Sequence, residues 1–216
     1  MEKLPNELKI CIKNFIIFKP KKSEELQEAV DLWCKDKEES IKKYGHISNW
    51  NTILITCMHS LFSKKRYFND DINRWNVSNV KNMCNMFNEA FYFNQPLNKW
   101  DVSNVTNMLG MFSMCYKFNQ PLNTWDVSNV IFMGFMFSSA KRFNQPLNNW
   151  NISNVTNICC MFHHALAFNQ SLNNWDTSKI ELMDETFDYA EEFNKDNARW
   201  FDFEKQLTYD NDFIYQ

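Results

Sequence analysis

The chain has 216 residues, a formal net charge of −3, 44% hydrophobic and 16% aromatic residues, and only 3 glycines. Such a length can bury a sizeable core, whereas the small net charge gives no electrostatic case for nucleic acid and the scarce glycine argues against Gly-rich phosphate loops. No apolar run reaches the roughly 18 residues that a membrane span needs, so no membrane insertion is expected.

The start, MEKLPNELKICIKNFIIF, carries Glu2, Pro5 and Glu7, and Lys13 and Asn14 break its apolar stretch. It reads as mature sequence rather than as a signal peptide. LPNEL at Leu4–Leu8 resembles the opening of an F-box, a ubiquitin-ligase adaptor motif; the plainer reading is a cap helix entered through Pro5. Ser23 to Tyr44 reads as one charged amphipathic helix with Leu26, Val30, Trp33 and Ile41 on its apolar face and Gly45 just past its end. Residues 1–46 are thus expected to form an N-terminal helical cap.

A repeat follows. Trp50, Trp75, Trp100, Trp125, Trp150, Trp175 and Trp200 recur at a 25-residue step. Phe68, Phe93, Phe118, Phe143, Phe168 and Phe193 keep that step, as do Phe62, Phe87, Phe112, Phe137, Phe162 and Phe187. So do Met58, Met83, Met108, Met133 and Met183, with Ile158 in the remaining place. The structural core is expected to consist of these columns, with Trp75, Trp100, Trp125, Trp150 and Trp175 at its centre.

Within a copy, Val105, Met108, Met111, Phe112 and Cys115 recur at helical spacing. Serine precedes each such run, at Ser78, Ser103, Ser128, Ser153 and Ser178, where its hydroxyl can cap a first turn. The pattern predicts short helices near 79–90, 104–115, 129–140, 154–165 and 179–190, and a weaker one near 54–65. The other half of a copy, Phe-Asn-Gln-Pro-Leu-Asn-x-Trp, holds Pro96, Pro121 or Pro146. Proline forces its predecessor into an extended conformation and is tolerated at a strand's first residue, which predicts a short parallel strand around Leu97–Trp100.

The predicted fold is therefore an α/β repeat solenoid, one short parallel strand and one short helix per 25-residue coil, leucine-rich-repeat-like, spanning residues 47–200. A single copy cannot bury its apolar face, so copies must stack and the ends need caps. Between Asn94 and Trp175 the only charged residues are Lys99, Asp101, Lys117, Asp126, Lys141 and Arg142, so charge concentrates at the two ends. Residues 201–216 lose the motif and read as an acidic C-terminal cap or tail. Helices outside and strands inside would make each coil a wedge and curve the stack.

The phrase FNQPLNxWDVSNVTNMxxMFxxA, which spans about Ile47 to Trp200 with its variants, resembles the repeat of the BspA-like leucine-rich-repeat surface proteins. That repeat occurs in bacterial surface lipoproteins and, without export signals, in proteins of large DNA viruses. The leader FKPKKSEELQEAVDLWCKDKEESIKKYGHISNWNT is also similar to the segment preceding such repeats. The resemblance implies a right-handed solenoid with a role in adhesion or protein binding and no catalytic residues.

Candidate chemistry is sparse. Cys159, Cys160, His163 and His164 form C-C-x-x-H-H, whose i,i+4 pairs offer one edge of a zinc site. They occupy ordinary variable positions, and no second ligand pair has suitable spacing. Asp101, Asp126 and Asp176 form a row that suggests calcium, but Asn76 and Asn151 interrupt it. Asn94, Asn119, Asn144 and Asn169 suit amide ladders between coils better than ligand contacts. Serines at caps and His46, His59, His163 and His164 without triad spacing give no nucleophile–base pair. Neither enzyme activity, cofactor nor metal is expected. Seven cysteines, an odd number without an export signal, favour reduced thiols and an intracellular location, in host cytoplasm or a virion if the source is viral. The expected function is a non-catalytic scaffold for an unidentified protein partner, with a structural or surface component as the alternative. One patch stands out. Other copies place Lys81 and Asn82, Thr106 and Asn107, or Thr156 and Asn157 after the recurrent valine, whereas the central copy has Ile131 and Phe132, followed by Phe135. These three residues are the candidate contact for a partner or a second copy of the chain.

Overall fold

A computed structural model describes residues 17–204. Helix α1, Ser23–Lys35, has Glu24 and Glu25 in its first turn and Lys35 in its last, so its charges complement its dipole. It buries Leu26, Ala29, Val30 and Trp33. The expected single helix is in fact broken at Asp36, whose backbone is extended and whose carboxylate accepts from the Glu39 N–H at 3.0 Å to cap a second helix, α2, Lys37–Tyr44. The break turns Ile41 outward, where it is exposed rather than part of the buried face. Gly45, at φ 74°, ends α2.

The strand-and-helix coil is not what forms. Between α2 and Asp202 the chain contains only two 3₁₀ helices, Ile47–Asn49 and Lys195–Ala198, and no strand. Each 25-residue coil is a chain of tight turns. In one coil the Val80 N–H donates to Val77, Met86 to Met83, Ala90 to Phe87 and Phe93 to Ala90, all i→i−3. The stretch read as a strand closes the same way, Trp100 N–H to the Leu97 carbonyl at 3.1 Å. With no helix row, the wedge-shaped leucine-rich-repeat-like coil also falls away.

What prevents the helix is a pair of left-handed residues in every coil. Asn85 and Glu89 have φ 55° and 60°; Gly110 and Met114 have φ 61° and 59°; Phe135 and Ser139 have φ 59° and 57°. Each left-handed residue turns the next peptide plane along the stack. The N–H groups of Met83, Asn85, Phe87 and Glu89 consequently donate to the carbonyls of Asn107, Leu109, Met111 and Ser113 in the following coil, at 2.8–2.9 Å. A helix would have used those amides internally. Only one residue per coil completes a parallel bridge, in the series Cys57, Asn82, Asn107, Phe132, Asn157, Leu182.

Columns of identical rings fill the interior. Phe87, Phe112, Phe137 and Phe162 stack at centroid separations of 5.5–5.8 Å. Phe93, Phe118, Phe143 and Phe168 stack at 6.0 Å. Within each coil the two phenylalanines also meet, for example Phe112 and Phe118 at 4.1 Å. The tryptophans form a third column, Trp100 on Trp125 at 6.4 Å. A buried indole N–H needs an acceptor, and each finds the same one: Trp75 donates to Ile47, Trp100 to Ile72, Trp125 to Leu97, Trp150 to Leu122 and Trp175 to Leu147. Met108 and Met133 complete the core and are fully buried.

Candidate partner-binding face

Side-chain amides and carboxylates hold the coil corners. The carboxyl oxygen of Asp101 accepts from the N–H and hydroxyl of Ser103 at 3.1 and 2.6 Å; Asn76 does the same for Ser78. The serines therefore do not cap helices. They close Asx turns whose acceptor lies two residues earlier. This engages one oxygen each of Asp101, Asp126 and Asp176 locally, and the hydrogen bonds from Ser128 and Ser178 hold the carboxyls of Asp126 and Asp176 below the usual range. Asn94, Asn119, Asn144 and Asn169 form the inter-coil ladder expected of them, each side chain accepting from the N–H one coil on at 2.9–3.0 Å.

The C-C-x-x-H-H residues do not lie on a helix. Cys160 and His164 occupy the left-handed positions of their coil. Cys159 and Cys160 Sγ are 3.6 Å apart, and His163 Nε2 lies 3.9 Å from Glu185. Among the described residues no group of three such side chains is spaced to hold a metal ion. Burial pushes the thiols of Cys159 and Cys160 up, and burial beside His164 pushes His163 down. Cys34, Cys57, Cys84, Cys115, Cys159 and Cys160 are free thiols; Cys115 is fully buried and points at the Phe87 carbonyl, 3.0 Å away. Cys11 and the LPNEL segment lie outside the described residues.

Ile131, Phe132 and Phe135 lie along the turn-ladder segment of one coil and are 37%, 42% and 44% exposed. The local turn there gives up a contact that its neighbours keep. In the adjacent coils Asn107 accepts from the Leu109 N–H and Asn157 from the Cys159 N–H, both at 2.9 Å. Phe132 stands in that column and supplies no such acceptor to Gly134. Phe135 holds a bulky side chain at φ 59°, a conformation that costs a non-glycine residue about 1–2 kcal/mol. A Cβ on Gly134 would lie 2.7 Å from the Asn157 oxygen and 3.1 Å from Leu109, so those side chains would have to shift to admit it.

A second surface feature went unseen in the sequence. Arg66, Phe91, Tyr116 and Lys141 are 25 residues apart, in a column that varies in chemical type. The structure lays them one on the next: Arg66 over Phe91 at 5.2 Å, Phe91 on Tyr116 at 4.6 Å, Lys141 over Tyr116 at 5.0 Å. Comparing chemistry within variable columns would have revealed it.

Fold and surface together define a tandem-repeat protein of turn-built coils around stacked aromatic columns. The chain belongs to the family described as "Mycoplasma protein of unknown function, DUF285", whose model matches residues 34–145 and again residues 122–214. Neither the curated proteins nor the solved structures gave a match. No helix among the described residues is long and apolar enough to cross a membrane.

Proposed function

We propose that the chain is a non-catalytic repeat scaffold that binds another protein through Ile131, Phe132 and Phe135. One observation carries this reading: the three residues replace Thr106, Asn107 and Gly110 of the preceding coil with large apolar side chains that stay 37–44% exposed. The core of that coil is already filled by Val130, Met133, Met136 and Phe137, all fully buried, and the patch lies outside that set.

Replacing Ile131 and Phe132 with Thr and Asn restores the neighbouring pattern. The double variant should unfold with the parent's cooperativity, because Asn regains the turn cap. It should lose association, read as sedimentation of the purified chain for self-association and as recovery of the same interacting protein in affinity capture. A variant that unfolds, or that associates as the parent does, returns these residues to a structural role.

A further inference from the structure

We infer that the row Arg66, Phe91, Tyr116 and Lys141, with the flanking Tyr67, Tyr92, Lys117 and Arg142, is a docking strip for an extended acidic polypeptide segment. This surface lies in different columns from the apolar patch and does not depend on it.

The row is a sandwich: two aromatic rings stacked on each other, at 16° to one another, with a cation over the outer face of each. A cation held against a ring is attracted to its π face and loses mobility. Arg66 and Lys141 are thus fixed about three coil steps apart. Coils in hydrogen-bonded register advance by about 4.8 Å, so the strip is about 15 Å long and matches about five extended residues. Beside it, Tyr67 and Tyr92 stack at 5.5 Å and are 83% and 50% exposed. Such amphipathic rings give a peptide backbone apolar surface and a hydroxyl.

Charge selects the partner. Arg66, Lys141 and Arg142 are exposed, and none of Lys64, Arg66, Lys117, Lys141 and Arg142 forms an ion pair with a described residue. At the first coil the strip opens into a groove of about 550 Å³ lined by Lys35, Lys37, Lys64, Lys65 and Arg66 against only Asp31 and Asp70. Those two carboxylates are already paired, Asp31 with Lys65 at 2.6 Å and Asp70 with Lys37 at 2.5 Å. The unmatched charge is therefore positive and suits a carboxylate. In the last coil the same columns hold Glu191 and Glu192, which limits the basic strip to the first four coils and orients the peptide along it.

A single-stranded nucleic acid is the competing polyanion. It binds by stacking bases on open aromatic faces. Here the faces of Phe91 and Tyr116 are covered by each other and by the cations, so only the Tyr67–Tyr92 pair beside the row stays open, and the net charge of −3 gives no long-range attraction for a phosphate chain.

The test uses the full chain and a fluorescein-labelled peptide of about eight glutamates, a length chosen to overhang the strip, read by fluorescence anisotropy. Peptides of glutamine and oligothymidylates of the same length are the comparison arms. The glutamate peptide should bind best, and binding should weaken as salt rises. Arg66→Glu with Lys141→Glu should weaken it by about tenfold or more. If the charge-reversed chain no longer unfolds cooperatively, Arg66→Gln with Lys141→Gln serves instead, with a smaller but resolved loss. The Ile131→Thr, Phe132→Asn variant should bind the peptide as the parent does, which separates this strip from the apolar patch. Equal binding of the glutamine peptide, preference for the oligothymidylate, or indifference to both paired substitutions would overturn the inference.

Discussion

Gln27 reaches from α1 to donate its side-chain amide to the carbonyl of Leu61 at 3.1 Å. One helical turn earlier, Ser23 Oγ donates to the carbonyl of Cys57 at 2.6 Å; one turn later, Asp31 pairs with Lys65 at 2.6 Å. Contacts on the helix and on the first coil therefore share a spacing of four residues. The match is physical. Alternate carbonyls of a coil point toward the preceding coil, and the first coil has none, so α1 supplies donors in its place. The same edge logic accounts for the charges. On the ladder face, carbonyls look toward the N-terminal end, where Lys64, Lys65 and Arg66 lie. Amides look toward the other end, where Asp184, Glu185 and Asp188 lie. Each charge sign sits where aligned peptide dipoles favour it.

Removing those donors should expose the edge. Gln27→Ala and Ser23→Ala each leave a partly buried carbonyl without its partner, at a cost of about 1–2 kcal/mol. Urea unfolding of the two variants checks this, and the double variant should approach the sum, since the sites serve different carbonyls. A stability unchanged in both would mean that water satisfies the edge.

Loss of a core ring should depend on its place in the column. Phe137 is fully buried and contacts Phe112, Phe143, Phe162 and Trp150. Phe137→Ala should cost about 3–5 kcal/mol. Trp125→Phe keeps most of the area but leaves the Leu97 carbonyl without the indole donor, for about 1–3 kcal/mol. At the end of the stack Trp200 is only partly buried and makes the equivalent bond to Leu172, so Trp200→Phe should cost less than Trp125→Phe. Thermal unfolding of the three variants gives the order.

Acid should weaken the coil corners through Asp126. Its carboxyl is held low in the folded state by the Ser128 hydroxyl and N–H. A depressed folded value means that the contribution is complete above the unfolded carboxylate range, about pH 4, and is lost as pH falls through the folded value. Asn76 and Asn151 make the same turn without a titrating group. Asp126→Asn should therefore match the parent's melting temperature at pH 7 and lose less of it below pH 4. The reverse order, with the variant the more acid-sensitive, would refute the role given to this carboxyl.

The aromatic core was legible because one physical demand, a ring stacked on its equivalent, recurs at every coil and leaves the same letter every 25 residues. The backbone was not. Spacings of three and four, as in Val105, Met108, Met111, Phe112 and Cys115, arise from a helix and equally from successive three-residue turns. The left-handed residues that decide between them carry no glycine signature: they are Ser60, Asn85, Met114, Phe135 and Cys160 as readily as Gly110. The serine before each run suggested a cap, but the acceptor was the Asp or Asn two residues earlier. Of the surface, Ile131 and Phe132 showed because they break a pattern. Arg66 and Lys141 stayed hidden because their column has no pattern of letters, only one of chemistry.

The left-handed Phe135 separates stability from binding. Its side chain is 44% exposed at φ 59°, so a little over half of it is buried and its removal gives up about 1–1.5 kcal/mol. Phe135→Gly relieves about 1–2 kcal/mol of backbone strain and incurs about 0.5–1 kcal/mol of additional chain entropy. The preceding coil already has Gly110 in this position at φ 61°. The three contributions nearly cancel, so the variant should stay within about 1 kcal/mol of the parent, while its association through the patch weakens. Phe135→Ala discriminates further: it removes the same ring but keeps the strain, so it should lose association without gaining stability. Urea unfolding and sedimentation on both variants measure the two effects apart. If glycine destabilises the chain by more than about 2 kcal/mol, the Phe135 ring serves chiefly to pack against its own coil, and the patch is reduced to Ile131 and Phe132.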